Sequence, residues 1–212
     1  MPELEIRPWL SIWVKPKQTV RAIINYNVKY RFFVLSLVYG LPTVLQLAQN
    51  LSLGSVFSLP AIILFCLILS PILGAIGLLL CTTFLTWTGR WLLGGKASFL
   101  EMRCAVSWTN ATNLVTVIVW AALIVQFKEL IFYEGFVRMP MTMAESAWLS
   151  SYFLIQLIVA IWSFILLLFG VSEAHRFSVW KALLNVVIAF AVGVGVSWIL
   201  LFALERIADL RS

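Results

Sequence analysis

Apolar residues run along this chain in long blocks instead of alternating with polar ones. Stretches free of Asp, Glu, Lys and Arg extend from Phe32 to Gly89, Cys104 to Phe127, Ser146 to Ser172 and Ala182 to Leu204. A helix needs about 20 such residues to cross a hydrocarbon core of about 30 Å. The first block is long enough for two crossings, and Leu51 to Ser58 breaks it, with Gly54 and the neighbouring serines as turn formers between Asn50 and Pro60. Pro60 suits the first turn of the helix that follows, where its missing N–H is no loss. The pattern predicts an all-α polytopic membrane protein, a bundle of five transmembrane helices at about 32–50, 60–88, 104–127, 146–172 and 182–204. Pro71, with Gly74 and Gly77 beyond it, offers the second span a kink, and Gly170 offers the fourth an early stop.

Ahead of the first span, residues 1–31 carry Arg7, Lys15, Lys17, Arg21, Lys29 and Arg31 against Glu3 and Glu5, interleaved with Trp9, Trp13, Tyr26 and Tyr30. Pro16 can open a helix that gathers Val20, Ile23, Ile24 and Val28 near one face, with Lys17, Arg21 and Asn25 elsewhere. Such a helix lies in the headgroup layer, held by anionic lipid. Basic residues mixed with aromatics also suit nucleic acid, but beside a membrane span the lipid surface is the simpler partner, and no nucleic acid is expected.

Five spans place the connecting segments on alternating sides. Of the 15 Lys and Arg, all but Lys128, Arg138, Arg206 and Arg211 then fall on the side of the N-terminus. The positive-inside rule puts that side in the cytoplasm, with the C-terminal tail, residues 205–212, outside. Glu129, Glu134, Glu145, Glu205 and Asp209 accompany the outer basic residues. No cleavable leader is evident before Phe32, so the first span is expected to stay in the mature protein.

Composition agrees with this architecture: 62% of residues are hydrophobic and 11% charged, against about 45–50% and about 25% in soluble domains. It also narrows the chemistry. His175 is the single histidine, Asp209 the single aspartate, and Cys66, Cys81 and Cys104 lie in or beside apolar spans as small core residues. No zinc pair, catalytic triad, phosphate loop or intramembrane carboxylate pair can be assembled. An enzyme is not expected, nor a metal or cofactor.

Two sets of polar residues remain. One is the pair of short cytoplasmic loops, with Gly95, Lys96, Phe99, Glu101 and Arg103 in the first and Glu173, His175, Arg176, Phe177 and Lys181 in the second. Ser98 and Glu101 have capping-box spacing and mark a helix start. These residues either cap helices and ion-pair with one another or with headgroups, or form a surface for a protein partner or a second copy of the chain. His175 reads as a polar loop residue. The other set is the amides Gln46, Gln49, Asn110, Asn113, Gln156 and Asn185, which either fix helix packing by hydrogen bonds or converge on a polar cavity. Ala189, Gly193 and Ser197 form a small-residue stripe suited to close helix contact.

Three stretches, RPWLSIWVKPKQTVRAII, LLGGKASFLEMRCAVSWTN and FGVSEAHRFSVWKALLN, resemble the landmarks of prokaryotic members of the Yip1 domain family in order and spacing. Pro8, Trp9, Trp13 and Pro16, then Gly95, Lys96, Phe99 and Glu101, then Ser172, Glu173, Phe177, Ser178 and Trp180 carry the likeness. The resemblance implies a five-span protein of the bacterial inner membrane. In the eukaryotic branch it implies binding of prenylated Rab-type GTPases through proteins with a hydrophilic N-terminal region and a Tyr-Gly-Pro-Phe-Trp element, and this chain has neither. The function expected from sequence is a non-enzymatic adaptor or membrane-organising, trafficking-type factor acting through its cytoplasmic loops. A small transporter or lipid-handling protein is the rival.

Overall fold

The computed structural model describes residues 6–136 and 139–209. Its elements, in chain order, are α1 (Pro8–Ser11), α2 (Pro16–Tyr26), α3 (Phe32–Asn50), α4 (Leu59–Trp91), α5 (Phe99–Thr109), α6 (Asn113–Phe127), α7 (Met143–His175) and α8 (Val179–Asp209). Short 3-10 turns lie at Leu53–Ser55, Asn110–Thr112 and Lys128–Phe132. Five helical segments are long and apolar enough to cross a membrane: α3, α4, α5 with α6, α7, and α8 as far as Ala203. Residues 1–5, Arg138 and Arg211, which entered the charge count, lie outside the described residues.

The helices thread back and forth between two ends. The basic end carries α1, α2, the loop 92–98 and the turn 176–178; the opposite end carries the turn after α3, the segment 128–142 and the end of α8. Each end has its own apolar cluster. Ile12, Val20, Ile23, Met102 and Trp108 belong to the first, and Val44, Trp120, Leu123, Phe127 and Phe132 to the second. Between them α3 and α4 pack backbone against backbone. A Cβ on Gly40 would overlap the Ser70 carbonyl, and one on Gly74 would meet the Cα of Gly40 at 2.9 Å. Glycine is required at this crossing because the two backbones touch.

Local signals explain the helix starts. Pro16 opens α2 and Pro60 lies in the first turn of α4. At α5 the Ser98 Oγ accepts from the Glu101 N–H at 3.2 Å while the Glu101 carboxylate accepts from the Ser98 N–H at 2.7 Å, satisfying two donors that the first turn leaves open. Thr142 and Glu145 repeat the device at α7.

Several expectations need correction. The capping box starts the third crossing at Phe99, so Phe99, Glu101 and Arg103 are helical and not loop residues. Gly170 does not end the fourth helix, which continues to His175. Its missing side chain admits α5 instead, since a Cβ there would meet Thr109 Cγ2 at 2.6 Å. Most consequential is α2. Its face is amphipathic as expected, but Thr19, Val20 and Ile23 are buried against the bundle in a contact with α5 and α7. Protein, not the headgroup layer, covers that face.

Candidate functional site

The basic end is held together around His175. The last turn of α7 carries its imidazole inward, where it is 1% exposed. Nε2 donates to the Leu85 carbonyl of α4 at 3.1 Å and Nδ1 accepts from the Ala97 N–H at 3.3 Å. This pair of bonds fixes the neutral tautomer with its proton on Nε2. The ring stacks on Phe177, centroids 4.7 Å apart, and the Lys96 N–H donates to the His175 carbonyl at 3.2 Å. His175 is therefore a buried bracket between α4, the loop 92–98 and the α7–α8 turn, correcting its reading as a loop residue.

Two glycines make room for it. A Cβ on Gly89 or Gly95 would run into the ring. Gly95 belonged to the candidate surface; its role is to let the loop close over the histidine, reinforced by its N–H donating to the Gly89 carbonyl at 2.7 Å. Next to the bracket, Asn185 of α8 donates to the same Leu85 carbonyl at 3.1 Å and accepts from the Thr88 hydroxyl at 2.5 Å. Leu85, Thr88 and Gly89 were not singled out in the sequence. They lie within about one turn of one another on α4 inside an apolar block, and only a partner distant in sequence reveals their use.

The N-terminal segment clasps the same end. Trp9 meets Trp108 edge-on at 5.2 Å, and Tyr30 stacks on the Trp108 ring at 5.9 Å. Arg21 of α2 forms a two-pronged ion pair with Glu173 of α7, Nε to Oε1 at 2.6 Å and a terminal nitrogen to Oε2 at 3.0 Å. The Glu173 hydrogen bond and charge push the Arg21 pKa above its ordinary value. Beside this pair is a shallow cavity of about 290 Å³, lined by Arg21, Ile24, Asn25, Glu101, Glu173 and Arg176 among others. The site is mixed in sign and open to solvent.

The loop candidates thus divide. Glu101, Glu173 and Arg176 come together at the cavity, joined by Arg21, which the sequence had placed at the lipid surface. Gly95, His175 and Phe177 form the scaffold beneath. Lys96 and Lys181 are exposed, and Phe99 is 38% exposed on the first turn of α5. Arg103 turns inward, its guanidinium 4.5 Å from the centre of the Phe32 ring, and contributes to helix packing.

The amides do not converge. Gln46 and Gln49 line a cavity of about 550 Å³ at the opposite end. Gln156 accepts from the Thr116 hydroxyl and donates to the Tyr152 hydroxyl at 3.1 Å. Asn110 and Asn113 bond within their own chain segment at the 3-10 turn, to the Val106 and Asn110 carbonyls. Asn185 lies at the basic end. Among the described residues no three metal-ligating side chains come together, and Cys66, Cys81 and Cys104 are free thiols.

Five apolar crossings tied by short turns define an integral membrane protein of the helical-bundle class. The Yip1 domain family model matches residues 10–201, a span that takes in α2, both basic-end loops and all five crossings. The chain belongs to the Yip1 domain family. No curated protein and no solved structure gives a significant match.

Proposed function

We propose that this protein is a non-enzymatic membrane adaptor or membrane-organising factor of the bacterial inner membrane, with its basic end and N-terminus in the cytoplasm and its C-terminus outside. One observation carries the reading. Three stretches far apart in sequence, α2, the start of α5 and the end of α7, meet at one small cavity lined by Arg21, Glu101, Glu173 and Arg176. Buried His175 and the aromatic clasp on Trp108 fix that lining in place, which is what a recognition surface needs and what headgroup contact alone does not. Charges of both signs at close spacing suit an oppositely patterned protein segment, with charge complementarity giving specificity.

Transport has less support. Its premise was a shared polar cavity, and the six amides fall into at least three separate places.

The reading is tested by substituting Glu101→Gln, which removes the charge and keeps the capping box, together with Arg176→Gln, cross-linking in native membranes, and identifying captured proteins by mass spectrometry. Loss of a stoichiometric partner while thermal stability holds is the expected result; an unchanged partner set overturns the reading. Orientation is tested separately with Lys96→Cys and Ser55→Cys, both exposed and at opposite ends. A membrane-impermeant thiol reagent applied to intact spheroplasts should label the second and spare the first.

A further inference from the structure

The cavity at the opposite end is unused by the reading above, and its chemistry is specific. It encloses about 550 Å³ between the end of α3, α6, the segment after it and the start of α7, within the range of small-ligand sites. Trp120, Tyr133, Tyr152 and Phe153 contribute aromatic rings to its lining. Those rings brace one another: Trp120 stands edge-on to Tyr152 at 6.2 Å and Tyr152 to Phe153 at 5.3 Å. Tyr133 is held by Gly54, whose Cβ, were there one, would lie 2.9 Å from the tyrosine ring.

The polar part of the lining presents acceptors. Gln46 spends both amide hydrogens inside the wall, on Gln49 Oε1 at 2.9 Å and Asn50 Oδ1 at 3.1 Å. Gln49 in turn donates to the Ile131 carbonyl at 3.0 Å. The side-chain oxygen of Gln46, Oε1, has no protein partner among the described residues. Glu134 supplies a carboxylate, and no Lys or Arg is among the described residues that line the space. Aromatic faces and acceptor oxygens with one negative charge attract a cation, and repel an anion.

We propose that this cavity binds an ammonium group, either that of a lipid headgroup reaching in from the bilayer surface or that of a free small amine. The aromatic rings supply cation–π attraction and Glu134 the counter-charge.

The test uses the full chain in phosphatidylglycerol nanodiscs, titrated by calorimetry with choline and with its uncharged carbon isostere, dimethylbutanol. Saturable choline binding at least about tenfold tighter than the isostere is expected, with Glu134→Gln removing about tenfold of the choline affinity, a difference of about 1.4 kcal/mol. Glu134 is exposed, so the variant folds, and because it is measured in the same discs, choline attracted by the anionic surface cancels. Tyr133→Leu should weaken choline without improving the isostere. Repeating the titration in phosphatidylcholine discs separates the sources: lost choline binding identifies the headgroup as occupant, and retained binding identifies a free amine. Equal affinity for choline and the isostere, no saturable choline binding in phosphatidylglycerol, or an unchanged Glu134→Gln variant overturns the proposal.

Discussion

Gly89 and His175 occupy one site between them: a Cβ built on the glycine of α4 would lie 2.6 Å from Cε1 of the imidazole that ends α7. Two opposing effects decide what Gly89→Ala does. Alanine is the better helix former by about 1 kcal/mol, while overpacking costs about 1–3 kcal/mol. The ring cannot move aside cheaply, because two hydrogen bonds and the Phe177 stack pin it. The variant should therefore be less stable, seen as a lower Tm in detergent. Adding His175→Ala should remove most of the extra loss, giving a double variant more stable than the sum of the two singles. Simple additivity would show that the glycine and the ring do not share that space.

Thr88 and Asn185 make the buried polar link between α4 and α8. Interhelical hydrogen bonds in membranes average about 0.6 kcal/mol and reach about 1.7 kcal/mol. Thr88→Val leaves the Asn185 amide oxygen short of a donor, and Asn185→Leu leaves the Thr88 hydroxyl with the Phe84 carbonyl alone. Each single variant should cost stability, and the double variant less than their sum, by about 0.6–1.7 kcal/mol. Thermal unfolding of all four proteins measures the coupling; none would mean the pair is incidental.

What the sequence revealed follows the range of the cause. The five crossings and the Ser98–Glu101 cap are local patterns, set by runs of apolar residues and a three-residue spacing, and both are present, although the third crossing starts at the cap, at Phe99, instead of at 104. Gly170 was misjudged because glycine ends helices and also admits neighbours, and only α5 packed against it decides between the two. His175 had the look of a loop residue beside Glu173 and Arg176. Its burial depends on the Leu85 carbonyl and the Ala97 N–H, which no spacing near position 175 announces. The two loops and the N-terminal segment were read on one side of the membrane, yet α2 was seated on lipid and Arg21 was not joined to the loops, since a basic amphipathic helix has the same sequence whether lipid or protein covers it. The amides were read as polar points in the spans, and sequence could not say that they are dispersed.

The Arg21–Glu173 pair should govern the docking of α2 more than the stability of the bundle. Its arginine is largely exposed, 69%, while its glutamate is 12% exposed, so solvent screens one half of it. Arg21→Glu should raise hydrogen exchange in α2 without changing exchange in α4, and the swap with Glu173→Arg should restore protection. Arg21→Lys should fall short of wild type, because a point charge cannot reproduce the two-pronged contact. At about 1 M salt, where charges are screened beyond about 3 Å, the difference between wild type and Arg21→Glu should shrink.

Ile23 distinguishes the two possible supports of α2. It is completely buried, as is Val20 a turn earlier, within the apolar cluster that contains Trp108 and Met102. Were the helix seated on headgroups alone, Ile23→Ala would weaken its attachment to lipid and leave the bundle's unfolding unchanged. Seated against α5 and α7, the same truncation opens a cavity in a packed interior, where losing Ile side-chain atoms costs about 2–5 kcal/mol. Ile23→Ala should lower the Tm of the whole protein in detergent, where no bilayer surface is present, whereas Asn25→Ala, on the exposed side of the same helix, should not. An unchanged Tm for Ile23→Ala would return α2 to the membrane surface and separate Arg21 from the basic-end cavity. The expected fall keeps α2 as a structural wall of that site.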